Sequence, residues 1–393
     1  MDKIFTISLS HLNRYLLHKQ NLLNAVDVHL PILVERLGGL HATVSTTPYL
    51  SLKARLINNK RHDLDGELFE QRSMGRIRCV RKTMYVHTTK MMPAMYQATY
   101  RKSLVEVTKQ MERQGITVWD YDRIADRILY VLKGNPMTAK QLKQYMGAPQ
   151  PLSGLLNRMC ELGLLARAHP AGSWKSQAYH YALFEEYHPE IDLHSISEEE
   201  ARIEVVRAYL SAFGPARFED IVWWTDFSKS QVRAAFKKLK KEVIRIIVKE
   251  MPGEFYILCK DLPELGATPL DNKTLVSMLP MLDPYLMAYK ERGRYIKEEH
   301  YGYIYDRTGN AAASIMLNGE IIGVWDLVGK DDPLVKVFLM RMVNDEIMGW
   351  IYQMAEKMGE FMAERSVRVK RVRDMVPVSE QGVGKVLSPL KDS

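Results

Sequence analysis

The sequence predicts an α+β fold, mainly helical, with tandem winged-helix domains followed by a small antiparallel β-barrel-like domain and a C-terminal helix. Three observations predict it. The order helix, helix, helix, strand, strand occurs twice, about 80 residues apart. Glycine and proline separate the elements of both copies. Asn318-Gly319 between two strand-like segments is a strong hairpin signal. A chain of 393 residues has room for several such domains.

The clearest copy of the repeated unit follows residue 117. Its predicted elements are helices over Trp119–Leu132, Lys140–Tyr145 and Leu152–Leu162, then strands over 164–168 and 177–181. Thr138 is placed to cap the second helix, and Gly163 follows the third. This order of elements is that of a winged helix.

The second copy has the same plan. Its predicted elements are helices over Glu198–Ala212, Phe218–Thr225 and Lys229–Lys241, then strands over Val243–Lys249 and Glu254–Cys259. The amino-terminal part fits a third, less regular copy, with strands near 76–80 and 83–88. The two clear copies imply tandem modules.

The carboxyl-terminal part differs from the repeats. We predict strands over Tyr301–Asp306, Ala312–Leu317 and Glu320–Asp326, and a long helix that begins at Asp332-Pro333 and ends near Ala363. The three winged-helix domains are predicted at residues 1–117, 118–190 and 191–265. The barrel-like domain is predicted at 266–330, and the C-terminal helix and basic tail at 331–375.

Composition and charge restrict the class of protein. A charged fraction of 26% with 46% hydrophobic residues is ordinary for a globular protein and excludes global disorder. No apolar run approaches the ~18 residues of a membrane-spanning helix, and we see no signal peptide. Three cysteines far apart favour neither disulfides nor a zinc site. We therefore expect a soluble, cytoplasmic protein without metal, cofactor or membrane partner.

The positive charge is concentrated near the amino terminus. The net charge is +8, and residues 1–116 contain 18 basic and 9 acidic residues. A local surplus of this kind is expected of a protein that binds a phosphate backbone. Double-stranded DNA is the partner that it favours.

Two segments are candidates for phosphate contacts. The first is the predicted helix 229–241, where cations occur without an acid: Lys229, Arg233, Lys237, Lys238, Lys240 and Lys241. In a winged helix the third helix is the one that enters a groove or lies on phosphates. The second is the amino-terminal hairpin, with Arg76, Arg78, Arg81 and Lys82. For both, the alternative is a solvated basic surface.

A short polar connector is the candidate for chemistry. Gly38-Gly39 should end one helix and Thr47-Pro48 should begin the next, which leaves His41-Ala42-Thr43 between them. In an extended connector, residues two apart project to one side. We therefore expect His41 and Thr43 to face a cationic trough together. The alternative is a histidine that only makes a structural hydrogen bond.

Four motifs in this order resemble a known family. They are the segment Leu37–Arg55, then Ala212-Phe213-Gly214-Pro215-Ala216, Leu279–Tyr285 and Leu317–Trp325. The chain is similar in these motifs to the winged-helix DNA-binding family of the AlkZ and YcaQ bacterial DNA glycosylases. The resemblance implies tandem winged helices, a barrel-like domain and a concave DNA surface, and it extends from about residue 10 to 330.

The resemblance also implies a reaction and site residues. Family members remove alkylated purines from duplex DNA by hydrolysing the N-glycosidic bond, with a Gln-apolar-Gln or Gln-apolar-Asp motif. That motif falls on His41-Ala42-Thr43, so His41 would position or activate water and Thr43 would hold it. Asp283 matches another family motif and is a further catalytic candidate, with the alternative that it caps a turn before Pro284. Arg55 would contact a phosphate. This sequence departs from the motif at both polar positions.

Two hypotheses therefore remain for function. The first is a monofunctional DNA glycosylase of alkylation repair, a monomer associated with the nucleoid through its DNA. The second is a non-catalytic winged-helix DNA-binding protein or transcriptional regulator, in which the changed motif marks lost chemistry.

Overall fold

The structure is a computed structural model of the chain. It describes residues 5–25, 27–148, 150–269, 273–381 and 390. Four sheets alternate with helices along the chain, and we describe them as a first, a second and a third module and a carboxyl-terminal sheet.

The first module contains residues 5–113. Its helices and strands are β1 Phe5–Ile7, α1 Leu9–Lys19, α2 Leu30–Arg36, β2 Leu40–His41, α3 Thr47–Lys53, α4 Arg61–Asp65, β3 Met74–Arg78, β4 Met84–Thr88 and α5 Met92–Arg113. A π-helical turn follows α4, and a short 3-10 turn separates β3 from β4. The antiparallel sheet has the order β2-β4-β3. The two predicted strands of the hairpin are confirmed as β3 and β4.

The second module contains residues 118–187. Its elements are α6 Val118–Leu132, β5 Met137–Thr138, α7 Ala139–Met146, α8 Ser153–Glu161, β6 Leu165–Pro170, β7 Tyr179–Leu183 and a short helix α9 Phe184–Tyr187. The three helices and two strands predicted here are confirmed, as is the Thr138 cap, whose hydroxyl accepts from the Gln141 N–H. The short strand β5 adds to the sheet, which has the order β5-β7-β6.

The third module contains residues 198–267. Its elements are α10 Glu198–Phe213, α11 Phe218–Thr225, α12 Lys229–Lys238, β8 Val243–Val248, β9 Glu254–Leu258 and α13 Leu262–Ala267. All five predicted elements are present. The strand β1 pairs in parallel with β8, placing Phe5 opposite Ile246, so the sheet of this module has the order β1-β8-β9. The strand Phe5–Ile7 therefore belongs to the sheet of the third module.

The predicted barrel-like domain is instead an open five-stranded sheet. Its elements are β10 Val276–Leu279, α14 Tyr301–Ile304, β11 Ser314–Leu317, β12 Glu320–Val328, β13 Leu334–Leu339, α15 Asp345–Ala363 and β14 Arg368–Arg371. The strands run in the order β10-β11-β12-β13-β14, and β14 is parallel to β13. Among the described residues the two edge strands do not pair, so the sheet is open and extends beyond the predicted boundary at 330.

Two predicted elements of this region are wrong. The segment 301–306 begins as the helix α14 and contributes only a bridge from Tyr305 to Ala311. The chain after Asp332-Pro333 is the strand β13, which pairs with β12 and β14 and whose β-branched Val335 and Val337 favour a strand. The last helix begins only after Asn344, which caps it. The predicted hairpin at Asn318-Gly319 is confirmed, with φ of 52° and 87° at its two residues.

The modules share their hydrophobic interiors. One core joins residues of the first module, such as Leu12, to Val205 of α10 and to Tyr289, which precedes the last strands. Two arginine–aspartate pairs lie inside this body, Arg55–Asp283 at 2.7 Å and Arg294–Asp220 at 3.0 Å. In the part of the chain that the structure describes, no helix is long and apolar enough to cross a membrane. Within the same residues, no cluster of three or more histidine, cysteine or acidic side chains suits a metal ion.

Candidate nucleic-acid interface and reaction site

The connector between α2 and α3 is held by two glycines and a strand. Gly38 and Gly39 adopt φ of 68° and 92°, which L side chains rarely do. A Cβ atom on Gly39 would lie 2.4 Å from the His87 ring, so the glycine also permits close packing. The chain then forms β2, where His41 lies opposite Tyr85 of β4. The glycines thus end α2, as predicted, and turn the chain into the sheet.

His41 is buried, contrary to the expectation that it faces a trough. Its side chain is 2% exposed and its ring lies 5.0 Å from that of Tyr85. Its Nδ1 atom is 3.4 Å from the Thr43 backbone N–H, from which it accepts. Burial, and then the charge of Arg81, lower the pKa of His41 to about 3, so the imidazole is neutral at physiological pH. The prediction failed because His41 is the last residue of β2 and points toward Tyr85.

Thr43 is the exposed residue of the motif. Its Oγ1 accepts a long hydrogen bond of 3.4 Å from the Met84 N–H, and Ala42 beside it is buried. The Ala42 N–H donates to the Met84 carbonyl at 2.7 Å, which fixes the backbone of the connector against β4. A hydroxyl held in this way keeps its own proton available for donation to a water or a sugar oxygen.

Two segments that contact the connector each contain a lysine. Lys82, two residues before Met84, is exposed. The loop 171–178 between β6 and β7 of the second module also contacts the connector, since its Lys175 carbonyl accepts a hydrogen bond of 2.8 Å from Ser45 Oγ. The Lys175 side chain is 42% exposed, and its ammonium lies 3.8 Å from the Glu364 carboxylate. No pattern in the sequence pointed to this loop, because its contacts join residues about 130 positions apart.

The predicted phosphate contact of Arg55 is wrong. Its side chain is completely buried, and two of its nitrogens donate to the two carboxylate oxygens of Asp283 at 2.7 and 2.8 Å. Asp283 is equally buried and also accepts from the Tyr285 N–H. Both residues therefore join distant parts of the core, and neither can touch a phosphate or a reacting sugar in this structure.

The four cations of the amino-terminal hairpin have different surroundings. Arg76 is buried between the rings of Phe69 and Tyr179. Arg78 lies 3.3 Å from Glu161 in an ion pair, and Arg81 lies 4.0 Å from the Trp223 ring. Lys82 alone among the four is an exposed side chain. The prediction of a phosphate-binding hairpin is thus wrong for Arg76, and Arg78 and Arg81 are engaged inside the protein.

The helix α12 presents the larger basic surface. Its apolar residues Val232 and Leu239 face the core, with Phe236 partly buried. All six predicted cations are exposed: Lys229, Arg233, Lys237, Lys238, Lys240 and Lys241. The last two lie just beyond the end of the helix. Only an exposed pair of Lys238 with Glu199 at 3.5 Å offsets this charge among the described contacts. We call these six residues the α12 basic surface.

The fold and these surfaces indicate a class of protein, and a comparison of sequences gives the family. Repeated helical modules with a clustered basic surface are typical of nucleic-acid-binding proteins. The model of the AlkZ-like DNA glycosylase family matches residues 34–338, and the chain belongs to this family.

The chain is similar to a curated protein and to a solved structure, both from Streptomyces sahachiroi. The interstrand DNA cross-link repair glycosylase is 26% identical over 137 residues, which are 34% of this chain and 36% of that protein. The chain therefore matches about a third of the length of this curated relative. The structure of DNA glycosylase AlkZ superposes with a TM-score of 0.74 at 18% identity, covering 94% of this chain and 100% of the other. At that identity the likeness concerns the fold.

Proposed function

We propose that the protein is a DNA glycosylase that hydrolyses the N-glycosidic bond of alkylated purines in duplex DNA. In this proposal the three modules are winged helices, and the α12 basic surface binds the phosphate backbone. The observation that carries it is the exposed Thr43 hydroxyl at the position of the family motif, on a connector fixed by β4 and by His41.

The reaction requires little acid–base chemistry from the protein. Alkylation at N7 leaves the purine cationic, so it departs with the electron pair of the broken bond between C1′ and N9 as a neutral base. Water adds to C1′ through an oxocarbenium-like state, and its proton passes to the solvent. A neutral His41 and a hydroxyl at Thr43 suit this reaction, because they need only hold the connector and the water.

The roles of the motif residues follow from their exposure. Thr43 contacts the water or the sugar. His41 is a positioning residue, since its Nδ1 atom holds the Thr43 N–H from inside the protein. The non-catalytic DNA-binding protein is the second candidate, and it is favoured by the lack of an exposed base at residues 41 and 43.

The test is release of an alkylated base from duplex DNA. Duplexes containing N7-methylguanine or an N7-linked interstrand cross-link are incubated under single-turnover conditions, and abasic sites are cleaved with alkali. We expect release above the protein-free rate. Thr43→Ala should slow the release about tenfold or more, because it removes a group that positions a reactant.

A matched control keeps the result specific. Thr274, an exposed threonine before β10, is changed to alanine and should retain the wild-type rate. Equal release by wild type and Thr43→Ala would exclude the connector as the site. No release from either duplex, with DNA binding retained, would support the non-catalytic candidate.

A further inference from the structure

The loop 171–178 places a glutamine against the connector. Gln177 is exposed, and its amide lies edge to edge with the backbone of residues 43–45. In the orientation that matches donors to acceptors, Nε2 donates to the Thr43 carbonyl at 3.3 Å and Oε1 accepts from the Ser45 N–H at 3.1 Å. The side chain thus forms one hydrogen bond to the backbone on each side of residue 44.

Part of the hydrogen-bonding capacity of this amide remains for a ligand. A glutamine amide has two N–H groups and an oxygen with two lone pairs. The two backbone contacts use one N–H and one lone pair, and Ser45 Oγ lies 3.4 Å from the same amide. Because the side chain is exposed, the second N–H is left to bind water or a sugar oxygen.

The loop that carries Gln177 is anchored at a second place. Trp174 is 5% exposed, and its ring packs 4.9 Å from Tyr49 of α3 and 5.9 Å from Phe361 of α15. Its indole N–H donates to Glu364 at 2.6 Å, and this hydrogen bond is the main cause that lowers the pKa of the Glu364 carboxyl. With Ser45 bonded to the Lys175 carbonyl, the amide is held before any ligand arrives.

We infer that Gln177 supplies, from the second module, the amide that orients the attacking water beside Thr43. The polar positions of the connector contain histidine and threonine and no glutamine, and the structure brings an exposed amide to the same backbone from a different module. The inference rests on the proposed function. It adds Gln177 to the residues that contact the reacting groups.

The experiment measures binding to a transition-state mimic. A duplex with a cationic pyrrolidine in place of one deoxyribose imitates the oxocarbenium-like state, and its affinity is compared with that of the unmodified duplex. The wild type should prefer the pyrrolidine duplex. Gln177→Ala should reduce this preference about tenfold, the weight of one hydrogen bond near a charge. Affinity for the unmodified duplex should fall by a smaller factor.

Two further variants separate an orienting role from a structural one. Gln144→Ala, an exposed glutamine on α7 of the same module, should keep the full preference. The double variant Gln177→Ala with Thr43→Gln returns an amide to the connector and should restore the preference. Loss that this double variant does not restore means that Gln177 only braces the connector, and overturns the inference.

The failures are distinguishable. If the wild type does not prefer the pyrrolidine duplex, the proposed function fails and the inference fails with it. If the wild type prefers it and Gln177→Ala does so equally, the inference alone is wrong.

Discussion

The helices α8 and α12 occupy the same place in two modules of one plan, and they differ in how much of their surface is buried. Each is the third helix of its unit, before two strands. Most of α8 is buried, including Gly154, Leu155 and Glu161. In α12 only Val232 and Ala235 are buried, and its cations face the solvent. The repeat of a fold therefore does not repeat the exposed surface, on which any function of each helix depends.

The ninth residue of each helix illustrates the difference. In α8 it is Glu161, which is 2% exposed and lies 3.3 Å from Arg78 and 3.8 Å from Arg167. Burial raises the pKa of the Glu161 carboxyl, while the two guanidinium groups act in the opposite direction. In α12 it is Lys237, which is exposed. The α8 residue joins the first module to the second, and the α12 residue is available to a ligand.

The largest expected effect is from removing the buried acid. Glu161→Ala leaves Arg78 and Arg167 without their carboxylate, and should lower the free energy of unfolding by about 3–5 kcal/mol. Lys237→Ala at the equivalent position should change it by less than ~0.5 kcal/mol. Urea unfolding of both variants measures this difference. Similar losses in the two would contradict the assignment of α8 to the interior.

A second pair of equivalent positions tests the packing alone. Gly154 of α8 lies so close to α5 that a Cβ atom would be 2.6 Å from the Met111 Cα atom. Gly154→Ala should therefore lower the free energy of unfolding by about 1–3 kcal/mol through overpacking. Ser230 is the equivalent residue of α12 and is exposed. Ser230→Ala, measured by the same unfolding curves, should be within ~0.5 kcal/mol of the wild type, and a tolerated Gly154→Ala would show that α5 and α8 can separate.

The smallest expected effect concerns the salt dependence of DNA binding. Neutralising Lys237 and Lys238 together by glutamine should flatten the slope of log affinity against log salt concentration by ~1 for each lost phosphate contact. Arg158→Gln serves as the α8 control, since this guanidinium donates to Thr108 and lies over the Tyr121 ring. Fluorescence anisotropy with one duplex at several salt concentrations measures the slope. An equal slope in all variants would remove the α12 basic surface from the interface.

Local patterns were sufficient to predict much of the fold. The helices of the second and third modules follow from apolar spacing and caps, and the Asn318-Gly319 turn from its need for positive φ. The same reasoning misread β13, because Asp332-Pro333 is a typical helix start, whereas the β-branched Val335 and Val337 that follow it favour a strand. A start signal does not outweigh the preference of the residues that follow it.

The candidate site was less predictable because its geometry depends on distant pairings. The inward orientation of His41 follows from its pairing with β4, and the burial of Arg55 from an aspartate 228 positions away. The approach of Gln177 depends on a loop of another module. The connector itself was identifiable from its glycines and from the Thr-Pro start of α3. The direction of each side chain required the assembled sheet.

Because β1 pairs in parallel with β8, the sheet of the third module cannot be completed until β8 has been synthesised. Phe5, Thr6 and Ile7 are translated some 240 residues before their partners Ile246, Ile247 and Val248. A ribosome-bound chain must therefore carry this strand unpaired until β8 has been made, with its backbone amides open to other partners. When β1 pairs with β8, the helix α1 that follows it is also fixed to the third module.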